Sequence, residues 1–292
     1  MRVVLISTKL TAEDLISANS ELRGRINVFM MDYWPLADLE QIPKLGFSEL
    51  GLKASEEVRM FLSAESLGCP SLLQRMCLEM CIRNEVDGEM AVLRLDRHTK
   101  QALQATARAC GHDGTYDRIK NGPQRGQGQR GFYEFVAGGH ADAYEVLLRA
   151  LGQDPAALDV IPAAMANRIS RIVKNDRISP GACKKLMATA ERLALDGAPN
   201  ETILEWREPH LAIHDPYFLF FVRWGKWADD RTLKVASQHV ESAVDRGRYY
   251  AMLQERERRY TRRIEPTSVE RESWERQTQR ERDRMLDRYH RE

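Results

Sequence analysis

The chain has 292 residues, with 44 Lys and Arg against 43 Asp and Glu, a formal net charge of +1 and 30% of positions charged. That balance excludes indiscriminate polyanion binding by the whole chain and leaves nucleic acid only a local basic face. No run approaches the roughly 18 apolar residues of a bilayer span, no secretory n- and h-region opens the sequence, and the five cysteines, Cys69, Cys77, Cys81, Cys110 and Cys183, lack zinc-ligand spacing. A cytoplasmic chain of two or three small domains, with reduced thiols and no membrane partner, is expected.

The first pattern is an apolar strand, Val3 to Ile6, ending in the hydroxyls Ser7 and Thr8. Thr11 is placed to cap the next helix, with Glu13 and Asp14 in its first turn, where the helix dipole favours carboxylates. Arg23 and Arg25 form a basic elbow before a second apolar strand, Ile26 to Met31. One strand–helix–strand unit cannot cover both faces of a parallel sheet. Residues 1–33 therefore either dock on a partner or end a larger sheet.

From Trp34-Pro35 the pattern turns helical. Leu39, Ile42, Leu45 and Phe47 recur at near-helical spacing, and Leu50-Gly51-Leu52 marks a turn. Ser55-Glu56-Glu57 opens a helix carrying Val58, Phe61 and Leu62. Gly68-Cys69-Pro70 breaks it, and Ser71 to Arg83 forms another, with Leu72, Leu73, Met76, Cys77, Met80 and Cys81 inward. A short strand within Met90 to Leu95 precedes a helix over Arg97 to Cys110. Residues 111–139 are expected as a connecting loop rich in glycine and cation. Its Arg125 and Arg130 either grip an anion, nucleic acid or a neighbouring subunit, as glycine-rich backbone and guanidinium together can, or belong to a solvated loop.

A compact pattern then runs over 140–227. Ala141 to Leu151 is a helix with Tyr144, Leu147, Leu148 and Leu151 on one face; Asp154-Pro155 interrupts; Ile161 to Val173 is a helix with Met165, Ile169 and Ile172 inward. Ser179-Pro180, a capping hydroxyl followed by proline at the first helical position, starts a third helix that ends at Gly197. Thr202 to Trp206 and Leu211 to Ile213 make a hairpin with its turn at Glu208-Pro209. Three helices and a hairpin are the winged-helix arrangement. Asp215-Pro216 caps a last helix, Tyr217 to Trp224, whose aromatics surround it too fully for a surface helix. The third helix offers Lys184, Lys185 and Arg192, with Arg168, Arg171, Lys174 and Arg177 just before it, enough for several phosphate contacts. No Asn or Gln set faces a groove, so DNA and a docked protein stay open as its ligand. Residues 228–292 form a charged tail, helical or disordered, broken at Pro266.

The order strand, polar tip, helix, basic elbow, strand and three short helices resembles the last part of a prokaryotic AAA+ or STAND-like ATPase. The string His214-Asp215-Pro216-Tyr217-Phe218 through Arg223-Trp224 resembles the end of the winged-helix domain in that group. The implied fold is mainly α with minor β: a partial AAA+ α/β core edge over 1–33, a helical lid over 34–110 and a winged-helix domain over 140–227. The resemblance makes Ser7 or Thr8 the sensor-1 position, Arg23 or Arg25 an arginine finger acting in trans, and Ser71 with Arg75 the nucleotide-facing residues of the sensor-2 turn, though Ser71 stands where many relatives carry arginine.

No G-x-x-x-x-G-K-[ST] loop and no Walker B acid pair occurs in the sequence. ATP and Mg are therefore expected only with a partner subunit and not on this chain alone; the expected partners are a Walker-bearing ATPase subunit or a homo-oligomer, and no metal site is expected. The implied function is the C-terminal portion of a regulatory ATPase that does not hydrolyse ATP alone. The alternatives are a winged-helix DNA-binding regulator and a non-catalytic adaptor. The seven histidines, His98, His112, His140, His210, His214, His239 and His290, show no pairing with acid or cysteine at catalytic spacing.

Overall fold

A computed structural model describes residues 33–84, 92–123, 131–174, 178–197 and 201–225. The chain divides into two compact units, Met1–Tyr33 and Trp34–Glu292, and the described residues belong almost wholly to the second. They are mainly α-helical with minor β. The strands expected at 3–6 and 26–31, and the tail over 228–292, lie outside the described residues.

The first half of this unit is a helical layer: α1 (Leu36–Leu39), α2 (Gln41–Glu49), α3 (Glu56–Glu65), α4 (Pro70–Arg83) and α5 (Arg97–Arg108). Two short strands, β1 (Lys53–Ala54) and β2 (Val92–Leu93), pair in parallel, so α3 and α4 form the crossover between them. The starts are made by capping side chains. Ser55 Oγ accepts from the Val58 N–H at 3.3 Å, and Asp96 accepts from His98 and Thr99 while Thr99 Oγ1 returns a bond to the Asp96 N–H, a capping box. The turn after α3 passes through Leu67, the one non-glycine with positive φ (55°) among the described residues, and Gly68 follows at 82°. Leu67 is fully buried; the roughly 1.5–3 kcal/mol from burying a leucine exceeds the strain of about 1–2 kcal/mol for a left-handed residue.

Helical periodicity predicts most of the inward face. Leu72, Leu73, Met76 and Met80 of α4 are buried, whereas Cys77 and Cys81 are only half-buried. Of the periodic set Leu39, Ile42, Leu45 and Phe47, Leu39 and Phe47 are buried and Leu45 is exposed; Pro43 joins Phe47 on the buried face of α2.

The second half begins earlier than expected. Within 111–139, read from sequence as a connecting loop, a helix α6 (Asp113–Asn121) buries Tyr116 and Ile119 and ends at Gly122, φ 63°. A short hairpin follows, β3 (Tyr133–Glu134) with β4 (His140–Ala141). Then come α7 (Ala143–Leu151), β5 (Asp159–Val160), α8 (Pro162–Ile172), α9 (Pro180–Leu195), β6 (Leu204–Arg207) and β7 (His210–Ile213). The strand β5 was not anticipated. It pairs antiparallel with β7, giving a three-stranded sheet in the order β5–β7–β6.

The last described helix, α10 (Pro216–Trp224), starts at Asp215, whose side chain accepts from the Tyr217 N–H at 2.8 Å. Every residue from Phe218 to Trp224 is buried. α10 packs against α5 on one side and against α7 and β7 on the other; among the described residues no other helix or strand of α1–α5 packs substantially on one of α6–β7. The two halves thus share their common element in α10.

Candidate functional site

Three places in the described residues are candidates for a site: the start of α4, the outer face of α9 and the C-terminal turn of α10. The sensor and finger candidates Ser7, Thr8, Arg23 and Arg25, and the loop cations Arg125 and Arg130, lie outside the described residues.

Ser71 and Arg75 are exposed on the first two turns of α4. Ser71 Oγ receives the Tyr217 hydroxyl at 2.8 Å and lies 3.3 Å from Cys69 Sγ, so its hydroxyl serves to tie α4 to the start of α10. Nearby, Cys110 donates its thiol to the Thr106 carbonyl at 3.2 Å. Burial pushes that thiol up to about 12, with Arg75 acting only in partial opposition. Cys77 is likewise pushed by burial to about 12 and Cys183 to about 11. These thiols are neutral at pH 7 and not primed as nucleophiles. His112 Nε2 sits 3.0 Å from Asp215 Oδ2, with its ring edge-on to Phe218. Burial alone would raise the Asp215 carboxyl, but His112 and the N–H groups of Tyr217 and Phe218 outweigh it and hold it below the usual range. This pair orients a helix cap.

On α9, Gly181, Lys184, Lys185, Arg192 and Leu195 are exposed while Cys183, Met187, Ala190, Leu193 and Ala194 are buried. The spacing of three and four puts Gly181, Lys185, Ala188, Arg192 and Leu195 on one stripe. Lys184 reaches the hairpin tip, where it pairs with Glu208. Glu191 Oε1 accepts the Trp206 N–H at 3.0 Å and fastens α9 to β6.

Two of the cations expected at a phosphate face are used otherwise. Arg168 is buried and donates to the carbonyls of Ala150, Leu151, Gln153 and Pro155, holding the loop that leads into β5. Lys174 pairs with Glu134 beside β3. Arg171 is exposed, and Arg177 lies outside the described residues.

The C-terminal turn of α10 holds a buried ionic cluster. Arg223 Nε donates to Glu65 Oε2 at 3.1 Å, and Nη2 to Glu65 Oε1 and Asp154 Oδ1, each at 2.9 Å. Nη1 donates to the carbonyls of Gly152 at 2.9 Å and Gln153 at 3.4 Å. Trp224 Nε1 adds a 2.7 Å bond to Glu65 Oε2, with its ring edge-on to Phe61. Arg223 and Glu65 are both 0% exposed. Burial works against the Arg223 charge, but Glu65 and Asp154 overcome it and hold the guanidinium firmly protonated.

The histidines, scattered in the sequence, find acids in space. Besides His112, His210 Nδ1 lies 2.7 Å from Asp159 across β7 and β5, and His214 Nε2 lies 2.6 Å from Glu205 across the hairpin. Burial pushes the Glu205 carboxyl up, and bonds from Arg207 and His214 more than reverse it. Each acid is remote in sequence from its histidine or lies across a turn, so linear spacing gave no sign of the pairs. The same holds for Glu65; the one available signal was an arginine inside an otherwise apolar helix.

Among the described residues no three His, Cys, Asp or Glu side chains are grouped to hold a metal ion, and no helix is long and apolar enough to cross a membrane. No family model, curated protein or solved structure matches the chain.

Proposed function

We propose that this chain acts by docking rather than by chemistry, as a non-hydrolysing part of a regulatory assembly of the AAA+ or STAND type that its sequence resembles. In this reading Ala143 to Ile213 is a winged helix that offers α9 to a protein partner. The observation that carries it is the order α7, β5, α8, α9, β6, β7 with β5 paired to β7, the connectivity of helix, strand, two helices and wing. The helical layer α1–α5 takes the place of the lid.

A protein is favoured over DNA by where the cations go. Lys184 is tied to the acidic hairpin tip, Lys174 to Glu134, and Arg168 is interior. Of the cations named on α9, Lys185 and Arg192 remain on the outer stripe, few for a duplex held by phosphate contacts. An acid at the wing tip, Glu208, would face the DNA backbone.

Two measurements test this. The purified full chain is expected to hydrolyse ATP no faster than buffer; turnover by the chain alone overturns the reading. In a duplex-DNA titration at about 150 mM salt, binding no tighter than the micromolar range typical of non-specific contact is expected. Nanomolar binding that falls steeply with salt and is lost in Lys185→Glu/Arg192→Glu would replace the protein partner with DNA. Turnover that appears on adding a subunit with a phosphate loop, and disappears in Arg23→Ala or Arg25→Ala, is the positive result expected of the assembly.

A further inference from the structure

We propose that α10 is a strap and Glu65 its catch: together they make the helical layer α1–α5 and the sheet-bearing half α6–β7 move as one body, and loss of the catch lets the halves move independently. This goes beyond the docking reading and does not depend on it.

The packing sets up the problem that the strap solves. Among the described residues the two halves meet substantially only through α10. Along its length α10 alternates between them. Tyr217 bonds Ser71 of α4, and Trp224 stands on Phe61 of α3. Asp215 meets His112, and Phe221 packs edge-on against Tyr116 of α6 at a centroid distance of 5.6 Å. Burial of apolar surface is itself non-directional, so it does not specify how polar groups of the two halves face one another.

Arg223 supplies the direction. Its five N–H donors meet five acceptors: two on Glu65 of α3, and three on Gly152, Gln153 and Asp154 at the end of α7. The guanidinium therefore bridges the two halves in a single plane, with partners 158 residues before it and roughly seventy before it in the chain. A shift of either half by more than about an ångström would leave buried charge without its hydrogen bonds, since bonds weaken steeply beyond normal length and angle. A lysine keeps the charge but lacks the planar fork, so it cannot hold both sides at once.

The test separates coupling from simple stability. Hydrogen exchange measured by mass spectrometry on the full chain should show amides of α4–α5 and of α8–β7 opening together in the natural protein. In Arg223→Lys and in Glu65→Gln, exchange in α8–β7 should rise at least tenfold while α4–α5 is unchanged. In Glu65→Met/Arg223→Met, apolar packing should restore the melting temperature, yet the tenfold split should persist. Should those variants fail to fold, Trp224→Phe removes the indole donor and one ring's packing while leaving Glu65 and Arg223 in place, and should give a smaller split of the same kind. Equal loss of protection in both halves, restoration of joint opening by the methionine pair, or no change in any folded variant would overturn the proposal.

Discussion

Two sets of cations in this chain look alike in sequence and end in opposite environments. Lys185 and Arg192 stand on the outer stripe of α9, whereas Arg168 and Arg223 lie inside. The difference is made by neighbours on the same helical face. Arg223 follows Phe218 through Val222, a run with no polar face to turn outward, so the helix must bury its guanidinium and supply it with acceptors. Arg168 shares a face with Met165, and carbonyls at the unwound end of α7 receive it. Lys185 and Arg192 occupy the side of α9 opposite Cys183, Met187 and Ala190, where water is the natural partner of a charge.

The sharpest way to break this contrast is to take away the fully buried partner of a buried charge. Glu65→Ala leaves the Arg223 guanidinium with Asp154 and the Gly152 and Gln153 carbonyls alone, and removes the acceptor of Trp224 Nε1. Urea unfolding at pH 7 should show a loss of about 3–5 kcal/mol, the range for removing one member of a buried pair. A loss below about 1 kcal/mol would place the pair among those that contribute little. Arg168→Ala should come next. Its acceptors on Ala150, Leu151, Gln153 and Pro155 are backbone carbonyls, and hydrogen bonds to a charged group are worth roughly 1.5–3 kcal/mol each before the freed carbonyls rehydrate. A net loss of about 2–3 kcal/mol is expected, with exchange at Asp159 and Val160 accelerated first because Arg168 holds the loop before β5.

Much of the helical pattern was legible in sequence because its signals are local. Ser55, Ser179 and Asp215 each cap the helix expected of them, and the glycine or proline breaks at Gly68-Cys69-Pro70 and Asp154-Pro155 fall between elements. What failed was non-local or short. The strand β5 has two residues and exists because Asp159 and Val160 find Ala212 and Leu211; nothing within a few residues of it carries period-two alternation. α6 has no clear helical signature, because Gly114 and the charges around it leave a buried face of only Tyr116 and Ile119. The bond from Tyr217 to Ser71 spans 146 positions, so no local pattern points to it. The stripe on α9 was visible in outline, but which of its lysines the hairpin would claim was not.

Acid sharpens the contrast from the other side, because carboxylates titrate where guanidinium does not. Asp215 and Glu205 both have carboxyls held below the usual range in the folded chain. A depressed carboxyl contributes stability that is fully present above its unfolded value, near 4, and is lost as pH falls through the folded value. The contribution of Glu205 is discounted because that side chain is partly exposed. Asp215→Ala at pH 7 should cost roughly 0.5–2 kcal/mol as a lost cap, and urea midpoints measured from pH 6 to pH 2.5 should fall less steeply in the variant than in the natural chain. Parallel slopes would show that Asp215 titrates no differently folded than unfolded.

The smallest expected effect carries the most functional weight. Lys185→Ala/Arg192→Ala removes two exposed side chains that the interior does not use, so urea unfolding should move by no more than about 0.5 kcal/mol. Any loss of partner binding in this variant is then a property of the surface and not of the fold, which no substitution at Arg168 or Arg223 can claim. If instead the double variant loses more than about 1 kcal/mol, the outer stripe is part of the packing, and the distinction between the two kinds of cation fails at α9 itself. Thr189 gives the internal control: its hydroxyl bonds the Lys185 carbonyl at 2.8 Å, a backbone contact that survives truncation of the lysine side chain, so the helix beneath the stripe should keep its exchange protection unchanged.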